Sequence, residues 1–199
     1  NTYSWSPSAS LSSSTASVVS ANPNITETYT VIGTSNSCTN IAVKTLSVNT
    51  TPTITLTPSL TICSGTSTSL TATGANSYSW SPSASLSSGT ASVVSANPNI
   101  TATYTVIGTS NSCTNTAVTT LSVNTTPTIT LTPSLTICSG TSATLTASGA
   151  NTYSWSPSAS LSSSTASVVN ANPNINTTYS VIGTSNSCTN TAVTTLSVN

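Results

Sequence analysis

Five cysteines, Cys38, Cys63, Cys113, Cys138 and Cys188, are the side chains in this 199-residue sequence best equipped for covalent chemistry. Thiols can pair as disulfides, cluster around zinc or act as nucleophiles beside a base. The rest of the composition argues against the last two. There is one lysine (Lys44), one glutamate (Glu27), and no histidine, arginine or aspartate. General acid–base catalysis needs such groups near the moving proton, and a serine nucleophile needs an adjacent base. Calcium and magnesium want several carboxylate oxygens, and phosphate backbones want lysine and arginine. The chain therefore reads as neither enzyme, metalloprotein nor nucleic-acid binder, and it calls for no cofactor. Disulfides remain, and with them an oxidising compartment.

The cysteines recur because the whole sequence recurs. NTYSWSPSASLS begins at Asn1 and at Asn151, and NSYSWSPSASLS at Asn76, a period of 75 residues. Residues 1–75 and 76–150 differ at eight positions. Self-similarity at a fixed period marks a repeat architecture. The stretch NTTPTITLTP (Asn49–Pro58, Asn124–Pro133) follows a complete strand pattern and carries a proline that ends pairing. Boundaries set there give a partial domain at 1–49, containing C-terminal strands only, and whole domains at 50–124 and 125–199. With no initiator methionine and no signal peptide at Asn1, the chain reads as a piece of something longer.

No stretch approaches the 18 apolar residues of a membrane span, and abundant Val, Ile and Thr argue for strands rather than disorder. Alternation carries the strand reading. In YSWSPSASLS, serine holds every second position, with Tyr78, Trp80 and Leu86 between. Side chains on a strand alternate faces, so the aromatics face a core and the serines face water, up to a strand end near Ser81 before Pro82. Serine and threonine make up 34 of residues 76–150: hydroxyls stand in for charges as the solvating groups. Within 125–199, strands are predicted at 128–132 with 135–138, then 144–148, 152–156, 165–170, 177–182 and 192–198. Turn signals at such spacing indicate an all-β sandwich.

These motifs resemble an immunoglobulin-like fold. Tyr153-Ser154-Trp155 matches the strand bearing the core tryptophan, and Thr177-Thr178-Tyr179-Ser180-Val181 the strand of the tyrosine corner. Ala147 and Val181 stand where such domains have their disulfide. Trp5, Trp80, Trp155, Tyr29, Tyr104 and Tyr179 are accordingly expected to be core and corner residues. The pattern Cys-Ser-Gly, Leu-Thr-Ala-x-Gly-Ala, Tyr-Ser-Trp-Ser-Pro, Thr-Tyr-x-Val-Ile-Gly-Thr and Asn-Ser-Cys-Thr-Asn is similar, across the whole chain, to tandem Ig-like or PKD-like repeats of long bacterial surface proteins exported by type IX secretion. That resemblance implies an extracellular or cell-surface location and a stalk, filament or adhesin role. The chain lacks the aspartates of PKD-type relatives, so no calcium site follows.

The resemblance also bears on the cysteines. In an immunoglobulin-like sandwich the turn after the first strand lies at the exit end and the last hairpin at the entry end. A strand of eight residues separates them by about 25 Å, whereas a disulfide needs Cα atoms within about 7 Å. Head-to-tail packing brings the exit of one domain to the entry of the next. The preferred pairing is therefore Cys63–Cys188 between domains, leaving Cys38, Cys113 and Cys138 unpaired in this chain. The alternative is Cys63–Cys113 with Cys138–Cys188, each within one domain.

Two functional classes stay open. The first is a structural repeat of an extracellular fibre or adhesin stalk, self-associating or stacked on neighbouring copies of the same repeat, with almost no net charge to resist lateral association. The second is a carbohydrate- or surface-binding module presenting its Thr and Ser rows. Glu27 and Lys44 occupy one hairpin, and a turn near Asn36 sets them diagonally opposite, within reach of a salt bridge. Asn24, Asn49, Asn99, Asn124 and Asn176 lie in Asn-x-Thr sequons that a glycosylating host could modify. With so little to titrate, stability should barely move between about pH 4 and 9.

Overall fold

A computed structural model describes residues 1–199, and every regular element in it is a strand. Three strands come first: β1 (Thr2–Ser6), β2 (Glu27–Ser35) and β3 (Cys38–Leu46). Then follow β4 (Thr55–Leu56), β5 (Leu60–Cys63), β6 (Thr68–Thr73), β7 (Ser77–Ser81), β8 (Val93–Ala96), β9 (Ala102–Ser110) and β10 (Cys113–Asn124). The same seven recur as β11 (Thr130–Leu131), β12 (Leu135–Ile137), β13 (Ala143–Ser148), β14 (Thr152–Ser156), β15 (Val168–Ala171), β16 (Thr177–Ser185) and β17 (Cys188–Val198).

Each set of seven makes two facing sheets. One has the order β4-β6-β8, the other β5-β10-β9-β7, and the later copy repeats both orders. The first strand of each set is split. Its leading half (β4, β11) pairs antiparallel in the three-stranded sheet, and its trailing half (β5, β12) crosses to run parallel to the last strand of the other. Pro58 and Pro133 sit at the crossing, where a residue without an amide proton interrupts the ladder at no cost. This is an immunoglobulin-like sandwich. β1–β3 have the order of β7, β9 and β10 and form a sheet with no facing partner.

Period-2 alternation places one face of each sheet inside. One core gathers Leu70, Ala72, Trp80, Val94, Ala96, Tyr104, Val106 and Leu121, with Ile54, Leu56 and Leu60 against it. A second gathers the equivalents Leu145, Ala147, Trp155, Val169, Ala171, Tyr179, Val181 and Leu196. Ala147 and Val181 thus share a core with Trp155, and Val181 is the tryptophan's cross-strand neighbour. Gly108 and Gly183 lie under the split strand because a side chain would not fit. A Cβ on either would come within 2.2 Å of the Ile54 or Ile129 Cδ1.

The hairpins β2–β3, β9–β10 and β16–β17 turn on two residues each. Asn36-Ser37, Asn111-Ser112 and Asn186-Ser187 all have positive φ, between 48° and 67°. This is the turn whose twist suits paired strands, and asparagine tolerates it better than most residues. It lets the ladder run out to Ser185 and Cys188, so these strands are longer than the alternation alone indicates. The strand expected at 165–170 is shorter and later, at Val168–Ala171. Serine hydroxyls capture nearby backbone: Ser163 Oγ accepts the amides of Thr165 and Ala166 ahead of the strand, and Ser162 Oγ that of Asn170 within it. Such local bonds compete with sheet pairing, and Leu161 meets Ala171 only as an isolated antiparallel bridge.

Leu145 is fully buried. Leu145→Ala should destabilise the sandwich that contains it by about 2–5 kcal/mol through lost contacts and a residual cavity. Urea denaturation followed by the fluorescence of the buried tryptophans checks this.

Candidate functional site

The site with most chemistry lies where one sandwich meets the next. Its first element is the end of β5, held in register by the parallel pairs Leu121–Leu60 through Asn124–Cys63. Its second is the β16–β17 hairpin tip, which projects Cys188 beside the Asn186-Ser187 turn. The Cys63 and Cys188 Cα atoms are 5.6 Å apart, and their sulfurs form a disulfide. The within-domain pairs do not form: Cys38, Cys113 and Cys138 are free thiols.

Hydrogen bonds surround the disulfide. Asn124 Nδ2 donates to the Asn186 carbonyl at 2.9 Å, and the Thr126 hydroxyl donates to the Ser64 carbonyl at 3.0 Å. The Ser64 amide donates to the Asn124 carbonyl at 2.8 Å. Cys188 is almost wholly buried, beside a cleft of about 440 Å³ lined by Ile62, Asn124, Ser187 and both bonded cysteines. The upstream junction repeats part of this pattern. Asn49 Nδ2 donates to the Asn111 carbonyl at 2.9 Å, and the Cys113 thiol lies 3.6 Å from the Asn49 carbonyl. The side-chain amides of two sequon asparagines, Asn49 and Asn124, are therefore engaged in the junctions, whereas Asn24 and Asn99 are exposed.

The aromatic residues serve the cores. Trp80 and Trp155 are buried, and their indole N–H groups donate to the Ala91 and Ala166 carbonyls at 2.9 Å; Trp5 is half-buried and donates to Ala16 at 3.0 Å. Tyr29, Tyr104 and Tyr179 are buried. Their hydroxyls reach not the backbone but the Ser10, Ser85 and Ser160 side chains, 19 residues upstream. The serine parity therefore changes meaning after Pro82. Ser79 and Ser81 are exposed, while Ser85 is an internal fastener.

Glu27 and Lys44 do not use each other. The register does set them diagonally, with Glu27 opposite Leu46 and Lys44 opposite Tyr29. The Glu27 carboxylate, however, accepts hydrogen bonds from the Ser10 hydroxyl and, at 2.7 Å, from Tyr29. Two hydroxyls close at hand satisfy it without ordering a long lysine chain. The Ser10 bond and then the Tyr29 bond hold the Glu27 carboxyl below the usual glutamate range, against the opposing effect of burial. Burial raises the Tyr29 phenol. The hydroxyl rows are also internally engaged: Thr28–Thr45, Thr103–Thr120 and Thr178–Thr195 bond across the strands at 2.8–3.0 Å. No cluster of His, Cys, Asp and Glu could hold a metal ion, and no helix is long and apolar enough to cross a membrane.

No family model matches the chain, and no curated protein does either. Among solved structures it is similar to the I-band fragment I67–I69 from titin, at a TM-score of 0.53 and 13% identity over 99% of this chain and 87% of that one. An E-to-A variant of the same three domains gives 0.51 with the same identity and coverage. The insect immune protein hemolin gives 0.43 at 13% identity over 99% of this chain and 67% of that one. The titin likeness establishes the fold, a tandem of immunoglobulin-like domains.

A group with a lowered folded-state pKa adds stability above its unfolded value and loses it as pH falls through the folded value. Glu27 should therefore titrate below the ordinary glutamate range, and the stability it adds should be lost only as pH falls into that lower range. Carboxyl ¹³C chemical shifts give the midpoint. Ser10→Ala should move it upward and Glu27→Gln should remove the transition.

Proposed function

We propose that this chain is a section of an extracellular structural rod, a fibre or adhesin stalk, in which each 75-residue repeat (50–124, 125–199) is one domain and successive domains are joined by a disulfide as well as by the backbone. The observation that carries this reading is the Cys63–Cys188 bond between two separate cores. A bond within one core stabilises that core. A bond between cores restrains how two folded bodies move, which a stalk needs and an isolated binding domain does not. Domain contacts along one chain are ordinarily small and leave relative motion as the default; a covalent cross-link at the rim removes much of it.

The same bond supports an extracellular location, since disulfides persist in oxidising compartments. The resemblance to type IX-secreted surface repeats supports a bacterial cell surface. A formal net charge of zero weakens the repulsion that keeps rods apart, which favours lateral association into a fibre. The hydroxyl rows keep such a surface hydrated.

Antibodies raised against residues 125–199 and applied to intact, unpermeabilised cells of the source organism should label surface filaments in electron micrographs. Label appearing only after permeabilisation would overturn the location and, with it, the stalk reading.

A further inference from the structure

The outer face of each four-stranded sheet carries an uncovered apolar centre. Strand alternation turns Tyr104, Val106 and Leu121 inward, so four cross-strand pairs of β9 and β10 point outward: Thr103–Thr120, Thr105–Val118, Ile107–Thr116 and Thr109–Thr114. Ile107 and Val118 hold the two middle pairs as diagonal neighbours, within reach of each other. They are 42% and 60% exposed. The later sandwich repeats the arrangement with Ile182 and Val193, 44% and 65% exposed, between the Thr178–Thr195 and Thr184–Thr189 pairs. Ser79 lies beside Ile107, and Ser154 beside Ile182, continuing the hydroxyl rim across the sheet.

We propose that this face is where a second copy of the chain packs, sheet against sheet. The proposal rests on the lateral association put forward above and names the surface that carries it. An apolar centre inside a polar rim is the anatomy of a protein–protein contact. Residues 50–199 contain no Lys, Arg, His, Asp or Glu, so identical faces meet without like-charge repulsion. No cavity opens on the face to hold a small molecule. The rim also gives up its water at a reduced cost. The Thr103–Thr120 and Thr178–Thr195 hydroxyls already bond each other, at 3.0 and 2.9 Å, and a polar group that keeps a hydrogen bond is far cheaper to bury than one that loses it.

The area decides how many faces are needed. The nine-residue span of β9, its partner β10 and the shorter β7 and β5 at their sides amount to about three full strands. At about 4.8 Å between strands and 3.3 Å per residue they cover about 430 Å². One face on its like therefore buries about 860 Å² in total, below the roughly 1,000 Å² of a specific interface, whereas the two faces of each chain together bury about 1,700 Å², the usual size of a stable one. Both sandwiches must contribute, and association grows with the number of repeats along a rod.

Sedimentation equilibrium of the whole oxidised chain tests this, up to about 1 mM, where weak complexes form, and in about 0.15 M salt to screen net charge. The unaltered chain should self-associate. Val118→Lys with Val193→Lys sets like charges at the centre of both faces and should weaken association at least about tenfold. Val118→Thr with Val193→Thr, which keeps the strand propensity, should weaken it by a smaller factor. Val93→Lys with Val168→Lys adds the same charge at positions 54% and 52% exposed on the other sheet and should leave association within about twofold of the unaltered chain. Equal weakening by both lysine pairs would overturn the assignment of this face while leaving lateral association standing. A chain that stays monomeric throughout would overturn both and free the face for a partner of other chemistry.

Discussion

The Cys63–Cys188 disulfide depends on two pieces of local backbone chemistry being right at once. A strand must stay parallel to its neighbour up to its last residue, Cys63, and a hairpin must carry its ladder out to a two-residue turn so that Cys188 projects at the tip. The split first strand supplies the one and the Asn186-Ser187 turn supplies the other. Because both devices recur every 75 residues, every sandwich carries a cysteine at each end, and each end matches the opposite end of a neighbour. Geometry for linking is thus built into the repeat itself.

The rest of the molecule follows from doing without charge. Ordinary domains keep their surfaces wet and their loops in place partly with ionised side chains. Here hydroxyls do both. Thr28–Thr45 and its two equivalents tie strands together on the surface, while Ser85 and Ser160 anchor buried tyrosines and Ser88 and Ser163 hold loop amides. Neutral bonds of this kind are individually worth about 0.5–1.5 kcal/mol and are little affected by salt or by pH near neutrality. The one carboxylate fits the same scheme, taking hydroxyl partners in preference to the one lysine. Stabilisation of this kind depends little on ionic conditions.

Much of this was legible in residue order because it depends on short-range periodicity. Alternation located Trp155 and Tyr179 on inward faces, and proline marked both the end of β7 at Ser81 and the split strands. The length of a strand set against the reach of a disulfide separates the two ends of one sandwich. What stayed hidden depends on loops folding back over long separations. Ser10 meets Glu27 and Tyr29 only after the chain has turned through the irregular stretch beyond Pro7, so composition and register alone favoured Lys44 as the glutamate's partner. The strand expected from residue 165 gave way for a different reason: the short-range bonds of Ser163 Oγ to the Thr165 and Ala166 amides have no counterpart in the alternation pattern.

The claim that consecutive sandwiches are covalently joined across their junction is tested most directly by stretching single molecules held at the two termini. With the bond intact, residues 64–187 are bypassed, and only residues 1–63 and 188–199 can extend. At about 3.6 Å per residue the fully unfolded length is then about 270 Å, rising to about 720 Å when a reductant opens the bond. A length near 720 Å before reduction, unchanged after it, would contradict the account.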